Sequence, residues 1–155
     1  MYAIHLHAKS TSLVVTLDHL AALVLSGDDA PVNAVAYVLD PTRQVVVPEH
    51  VTITDPAQLA VTERQIAQVS LHDRVGVNKG APSRFFRIGD ATVNLRLMRY
   101  VRAIRREPQP VTEYHVSFVA PIAGPGGVQA DHLEIQHPDP DVAARIAAHI
   151  NGSMS

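Results

Sequence analysis

Arginine dominates the chemistry that this 155-residue chain can offer. Between Lys79 and Arg106 stand eight basic residues, Lys79, Arg84, Arg87, Arg96, Arg99, Arg102, Arg105 and Arg106, against the single acid Asp90. That segment therefore carries +7, and the rest of a chain of net charge −2 carries −9. The guanidinium fork pairs bidentately with phosphate and stacks on bases, which suits backbone contact better than a generic solubilising surface requires. Read as an extended strand from Thr92 to Arg106, the even positions put Asn94, Arg96, Met98, Tyr100 and Arg102 on one face. Such a face offers charge for phosphate, an aromatic ring for stacking and an amide for base edges, so RNA is the partner it fits. Arg84 and Arg87 extend the same basic tract upstream. The competing interpretation is a solvated strand face, which any amphipathic strand must make polar.

The nine histidines raise a second kind of chemistry. His5 and His7 share one face of a strand, a spacing that can present two imidazoles to Zn²⁺, with His50, His115, His132 or His137 as a third ligand. No HExxH or comparable motif fixes a geometry, so they are read as surface or partly buried residues, and neither metal nor cofactor is expected. Glu113, His115 and Glu134 can meet across neighbouring strands as an acid/base group. No nucleophile motif such as GxSxG accompanies them, so no catalytic residue is assigned and an enzyme is not expected. Lys79 to Arg84 lacks the spacing of a phosphate-binding loop and reads as a turn. Phe85 and Phe86 point to opposite faces when extended, which sends at least one into a core or interface.

These residues need a scaffold. β-Branched or alternating segments at 2–7, 12–17, 32–39 and 44–47, separated by turn residues, predict strands; Asp18 to Gly27 fits either a two-turn helix or a strand. Asp55 followed by Pro56, with Leu59, Thr62, Glu63 and Ile66 at helical spacing, favours a helix over 55–66, a hairpin about that turn being its rival. Residues 76–83 read as a loop. Thr92 to Arg106 reads as one long strand, with Arg99 breaking the apolar side as at a bulge, a sheet edge or a partner chain. After the Pro108 and Pro110 turn, Val111 to Val119 returns as its antiparallel partner. His132 to Gln136 is a further strand, and a helix starting at Asp139 carries the stripe Val142, Ile146, Ile150 to an Asn151-Gly152 stop.

The predicted fold class is α+β: a mainly antiparallel β-sheet with a C-terminal helix packed on it, self-associating. It is one domain over 1–155, comprising a β-rich part at 1–50 and a sheet with its C-terminal helix at 51–155. A composition of 46% hydrophobic and 18% charged residues excludes a disordered tail or a uniformly basic nucleic-acid binder. The absence of cysteine excludes disulfides and thiolate sites, leaving packing and association to stabilise the fold. No apolar run approaches the ~20 residues of a membrane span, and Met1 to His5 lacks the charged start of a secretory signal. A virion or cytoplasmic location is expected, with no membrane partner.

The order Phe85 to Ile88, Thr92 to Arg106, a Pro-bearing turn, Glu113 to Val119, a Pro/Gly loop, His132 to Gln136 and a closing helix resembles the sheet-then-helix layout of single-stranded RNA bacteriophage coat proteins. The resemblance spans roughly residues 83–151. It implies a coat-like subunit that dimerises so that two sheets join, assembles into a particle and holds RNA. Asn94, Arg96, Tyr100 and Arg102 would occupy the RNA-contacting strand positions. That family has two C-terminal helices where one is predicted here, and residues 2–48 exceed its N-terminal hairpin. A small α+β enzyme or ligand-binding protein with a histidine-bearing pocket is the alternative, which would need a few polar groups converging among apolar ones.

Overall fold

The computed structural model of the chain describes residues 3–7, 11–27, 29–75, 85–106, 111–137 and 141–151. The loop expected at 76–83, Arg84, the 107–110 turn, the Asp139-Pro140 helix start and Gly152 lie outside them. Twelve strands, two α-helices and two single-turn 3-10 helices are described. β1 (Ala3–His7) and β2 (Ser12–Thr16) form an antiparallel pair. A seven-stranded sheet has the order β11-β10-β5-β4-β3-β7-β6, from β3 (Leu20–Ser26), β4 (Val32–Asp40), β5 (Val45–Ile53), β6 (Phe85–Ile88), β7 (Ala91–Asn94), β10 (Ile122–Ala123) and β11 (Gln129–Ala130). A three-stranded antiparallel sheet has the order β12-β9-β8, from β8 (Met98–Arg106), β9 (Val111–Phe118) and β12 (Leu133–His137). The fold is thus the expected α+β, mainly antiparallel sheet with a short C-terminal helix. The described pairings include one parallel contact, Ile122 against Val46.

The centre of the large sheet is covered on both faces, and its strands alternate between two cores. Val32, Ala34 and Ala36 of β4 join Ile4, Leu6 and Val15 of the β1–β2 pair and Leu59 and Ile66 of α1 (Pro56–Val75). Tyr37 and Leu39 turn the other way, towards Tyr114, Val116 and Phe118 of β9 and Val142 and Ile146 of α2 (Val142–Asn151). This double coverage decides the segment that fitted helix or strand equally well. As β3, Leu20 to Leu25 hides Leu20, Leu23 and Leu25 in one core and Ala21, Ala22 and Val24 against the other. A helix would bury a single stripe of that set, and each large apolar side chain taken from water stabilises by about 1.5–3 kcal/mol.

α1 begins where Asp55-Pro56 predicts: Asp55 Oδ1 accepts from the Ala57 N–H at 2.9 Å, and Leu59, Thr62 and Ile66 form its buried stripe. Gln65 on this helix accepts from the His5 N–H at 2.7 Å and donates to the His5 carbonyl at 3.3 Å, tying α1 to the main chain of β1. α2 buries Val142 and Ile146, and the Val142 N–H donates to the Tyr114 hydroxyl at 3.2 Å. A helix-terminal donor without an intrahelical partner is thereby satisfied from β9. Among the described residues no helix is long and apolar enough to cross a membrane.

One sequence expectation is corrected. Thr92 to Arg106 is not a single strand: a turn at 95–97 divides it into β7 and β8, which belong to different sheets. Asn94 makes the break. Its Oδ1 accepts from the Arg96 N–H at 3.0 Å and its main-chain carbonyl accepts from Leu97 N–H at 3.2 Å, an Asx-type turn. The apolar/polar alternation runs through the turn unbroken, which is why periodicity alone joins the two strands.

Candidate functional site

The face of the three-stranded sheet that lies opposite Tyr114 and Val116 is built by its register. Beyond the turn, Met98 pairs with Phe118 and Tyr100 with Ser117, which leaves Arg99 as the extra residue of a bulge. The break that Arg99 makes in the alternation thus has the bulge as its cause, and β8 is also an edge strand of its described sheet. From Tyr100 onwards, Val101, Ala103 and Arg105 stand on the side of Val116, Tyr114 and Thr112. The opposite face carries cross-strand rows: Tyr100 beside Ser117, then Arg102, His115 and Glu134, then Ile104, Glu113 and Gln136.

Two groups of side chains occupy that face. Arg102 is exposed and lies over the ring of Tyr100, 5.7 Å from its centroid, and Tyr100 itself is 41% exposed. Arg96, in the turn, and Arg99, at the bulge, are exposed as well. Among the described residues no carboxylate pairs with Arg96, Arg99 or Arg102. Deeper on the sheet, the rings of His115 and His132 stack at 4.0 Å and 7°. Each has a carboxylate two residues away along the chain: Glu113 Oε1 lies 3.5 Å from His115 Nε2, and Glu134 Oε1 lies 3.3 Å from His132 Nε2.

The residues expected to touch RNA are dispersed by this arrangement. Tyr100 and Arg102 are brought together, with Arg96 on the approach to their strand. Asn94 is a correction: it is 1% exposed in β7, where its amide donates to the carbonyls of Leu17 and Leu20 at 3.2 and 2.9 Å. It satisfies the turn before β3 and presents no edge to a base. Arg87 is exposed in β6, on the other sheet, and donates to the Gly89 carbonyl at 3.3 Å. Arg84 lies outside the described residues.

Of the histidines, His5 and His7 stand opposite Val14 and Ser12 in the β1–β2 register, and among the described residues that hairpin holds no third imidazole or carboxylate. The meeting of Glu113, His115 and Glu134 across strands is present, and His132 joins it. Its signal lay in two mirrored tripeptides, Glu113-Tyr114-His115 and His132-Leu133-Glu134: alternate residues share a face, and the antiparallel pairing of β9 with β12 sets Glu134 opposite His115.

Elsewhere, a cleft of about 210 Å³ opens between Arg43 and the Ala123 to Gln129 segment. Arg43 is already engaged, since its Nε lies 2.8 Å from Asp40 Oδ2 and holds that carboxyl below its ordinary value. Burial pushes the Tyr37 hydroxyl in the opposite direction. Comparison of the chain with protein-family models, curated proteins and solved structures finds no match.

Proposed function

We propose that the chain is a structural, coat-like subunit that associates with further copies of itself and holds RNA on the exposed arginine edge of β8, in a particle or in the cytoplasm. The observation that supports this most is the set Arg96, Arg99 and Arg102, exposed and without a carboxylate partner among the described residues, beside an exposed Tyr100. Guanidinium groups in this setting neutralise phosphates while an aromatic ring accepts a stacked base, the combination that single-stranded nucleic acid rewards. Self-association draws on the described edges of the small sheet, β8 and β12: a copy pairing there would extend the sheet. An arginine-decorated edge also discourages disordered strand pairing, so assembly and RNA binding are best tested together.

The test is light scattering of the purified full chain, with fluorescence anisotropy against labelled RNA hairpins at low salt. A dimer or larger closed particle that binds RNA, with weaker binding by Arg102→Ala and Tyr100→Ala, supports the proposal. A sharp monomer sinks the coat assignment, and an absence of RNA binding sinks the nucleic-acid assignment. The convergence of His115, His132, Glu113 and Glu134 favours a second possibility, a small ligand-binding or catalytic protein with a histidine-bearing site.

A further inference from the structure

The cluster on β9 and β12 carries an inference that deepens this second possibility and does not depend on RNA binding. We propose that His115, His132 and Glu134 form a site for one divalent transition-metal ion of the zinc type, with Glu113 supporting it from beside His115.

Three observations carry the proposal. Two imidazoles and a carboxylate each offer a ligand atom, and these atoms lie within 4.8 Å of one another. Nitrogen and carboxylate oxygen without thiolate make a donor set for borderline divalent ions, and two His plus one Glu leave an open fourth position in a tetrahedral site. Secondly, His115 Nε2 is buried and, among the described residues, makes no hydrogen bond, even to Glu113 Oε1 at 3.5 Å. Most buried polar atoms are satisfied, so an orphaned imidazole nitrogen inside a His/Glu cluster is a group awaiting a partner. Thirdly, the local charge suits a cation. Glu113 and Glu134 bring two carboxylates, and the one cation paired in register with His115, Arg102, is drawn over Tyr100.

The adjustment needed is small. Two imidazole nitrogens on a tetrahedral zinc ion sit about 3.3 Å apart, given Zn–N bonds of about 2.0–2.1 Å. Closing from the observed spread falls to the movable partners: the side chains of His132 and Glu134 are 30% and 60% exposed, whereas that of His115 is 12% exposed. His115 is thus the fixed ligand on which the other two close, and the ring stack opens as they do. The neutral imidazole is the binding form, so affinity falls on acidification as protons compete.

The experiment uses the full chain freed of metal by chelator and titrated with Zn²⁺ by calorimetry, with Co²⁺ absorption reporting coordination geometry. One ion per chain is expected, with a four-coordinate nitrogen/oxygen Co²⁺ spectrum and a rise in Tm on binding. His132→Gln and Glu134→Gln, at the more exposed positions, are each expected to weaken binding by at least about tenfold, since even supporting residues of metal sites contribute 10–100-fold. Glu113→Gln should weaken it while leaving one ion per chain. His115→Ala should abolish binding; if that variant does not fold, His132→Gln and Glu134→Gln decide the matter. No saturable binding at millimolar zinc overturns the proposal. So does binding that His132→Gln and Glu134→Gln leave unchanged, which would place the ion elsewhere. Loss of zinc binding in these variants with RNA binding retained would separate this site from the arginine edge.

Discussion

Replacing Asn94 separates a structural role from an RNA contact. Its side chain makes three described hydrogen bonds: two from Nδ2 to the carbonyls of Leu17 and Leu20, and one to Oδ1 from the Arg96 N–H. At a net 0.5–1.5 kcal/mol each, with carbonyls left buried on truncation, Asn94→Ala should cost about 2–4 kcal/mol. Asn94→Asp keeps the shape but turns a carboxylate oxygen towards two carbonyl oxygens, so at pH 7 it should cost more than alanine does. The buried aspartate would have its folded-state pKa raised above the unfolded value. Its penalty is therefore smallest at low pH, where the carboxyl is protonated in both states and can donate one bond, and it grows as pH rises through the folded-state value. Urea denaturation of wild type and both variants at pH 7 and pH 4.5 measures this. RNA affinity of the folded variants should stay at the wild-type level. An unchanged midpoint for Asn94→Ala, or a stable variant that loses RNA binding, would refute the assignment of Asn94 to the turn.

Tyr114→Phe leaves the Val142 N–H at the start of α2 without its partner and should destabilise by about 1–3 kcal/mol, read as a lower urea midpoint and faster hydrogen exchange at Val142. Gln65→Ala removes both bonds between α1 and the His5 main chain; a loss of about 1–3 kcal/mol and faster exchange of the His5 amide are expected. Arg43 lowers the Asp40 pKa, so this pair's stabilisation is present above the ordinary 3.8 and is lost as pH falls through the depressed folded-state value. An NMR titration of the Asp40 carboxyl should give a midpoint below 3.8, returning towards it in Arg43→Ala.

What the sequence made legible was local. Asp55-Pro56 marked α1, the Val142/Ile146 stripe marked α2, and alternation marked most strands, because caps and periodicity act within a few residues of chain. Two kinds of information were not local. Whether Leu20 to Leu25 is helix or strand depended on partners far along the chain, β4 on one side and Ala91 to Val93 on the other. The division of residues 92–106 between two sheets depended on Asn94 finding the carbonyls of Leu17 and Leu20, more than 70 residues earlier. Around the site, the arginine edge and the bulge at Arg99 were visible in composition and in the broken alternation. The meeting of His115 with Glu134 and His132 followed from strand spacing only once β9 and β12 were neighbours in a fixed register.

The most direct test of the RNA proposal is the salt dependence of binding to a single-stranded RNA, compared between wild type and the triple variant Arg96→Ala/Arg99→Ala/Arg102→Ala. Each phosphate contact contributes about −0.7 to the slope of log K against log salt, so removing three should make the slope shallower by about 2. All three side chains are exposed, and the variant should match wild type in circular dichroism. A wild-type slope that survives the triple substitution, or wild-type protein that binds no RNA at low salt, would contradict the assignment of β8 as the RNA-binding edge.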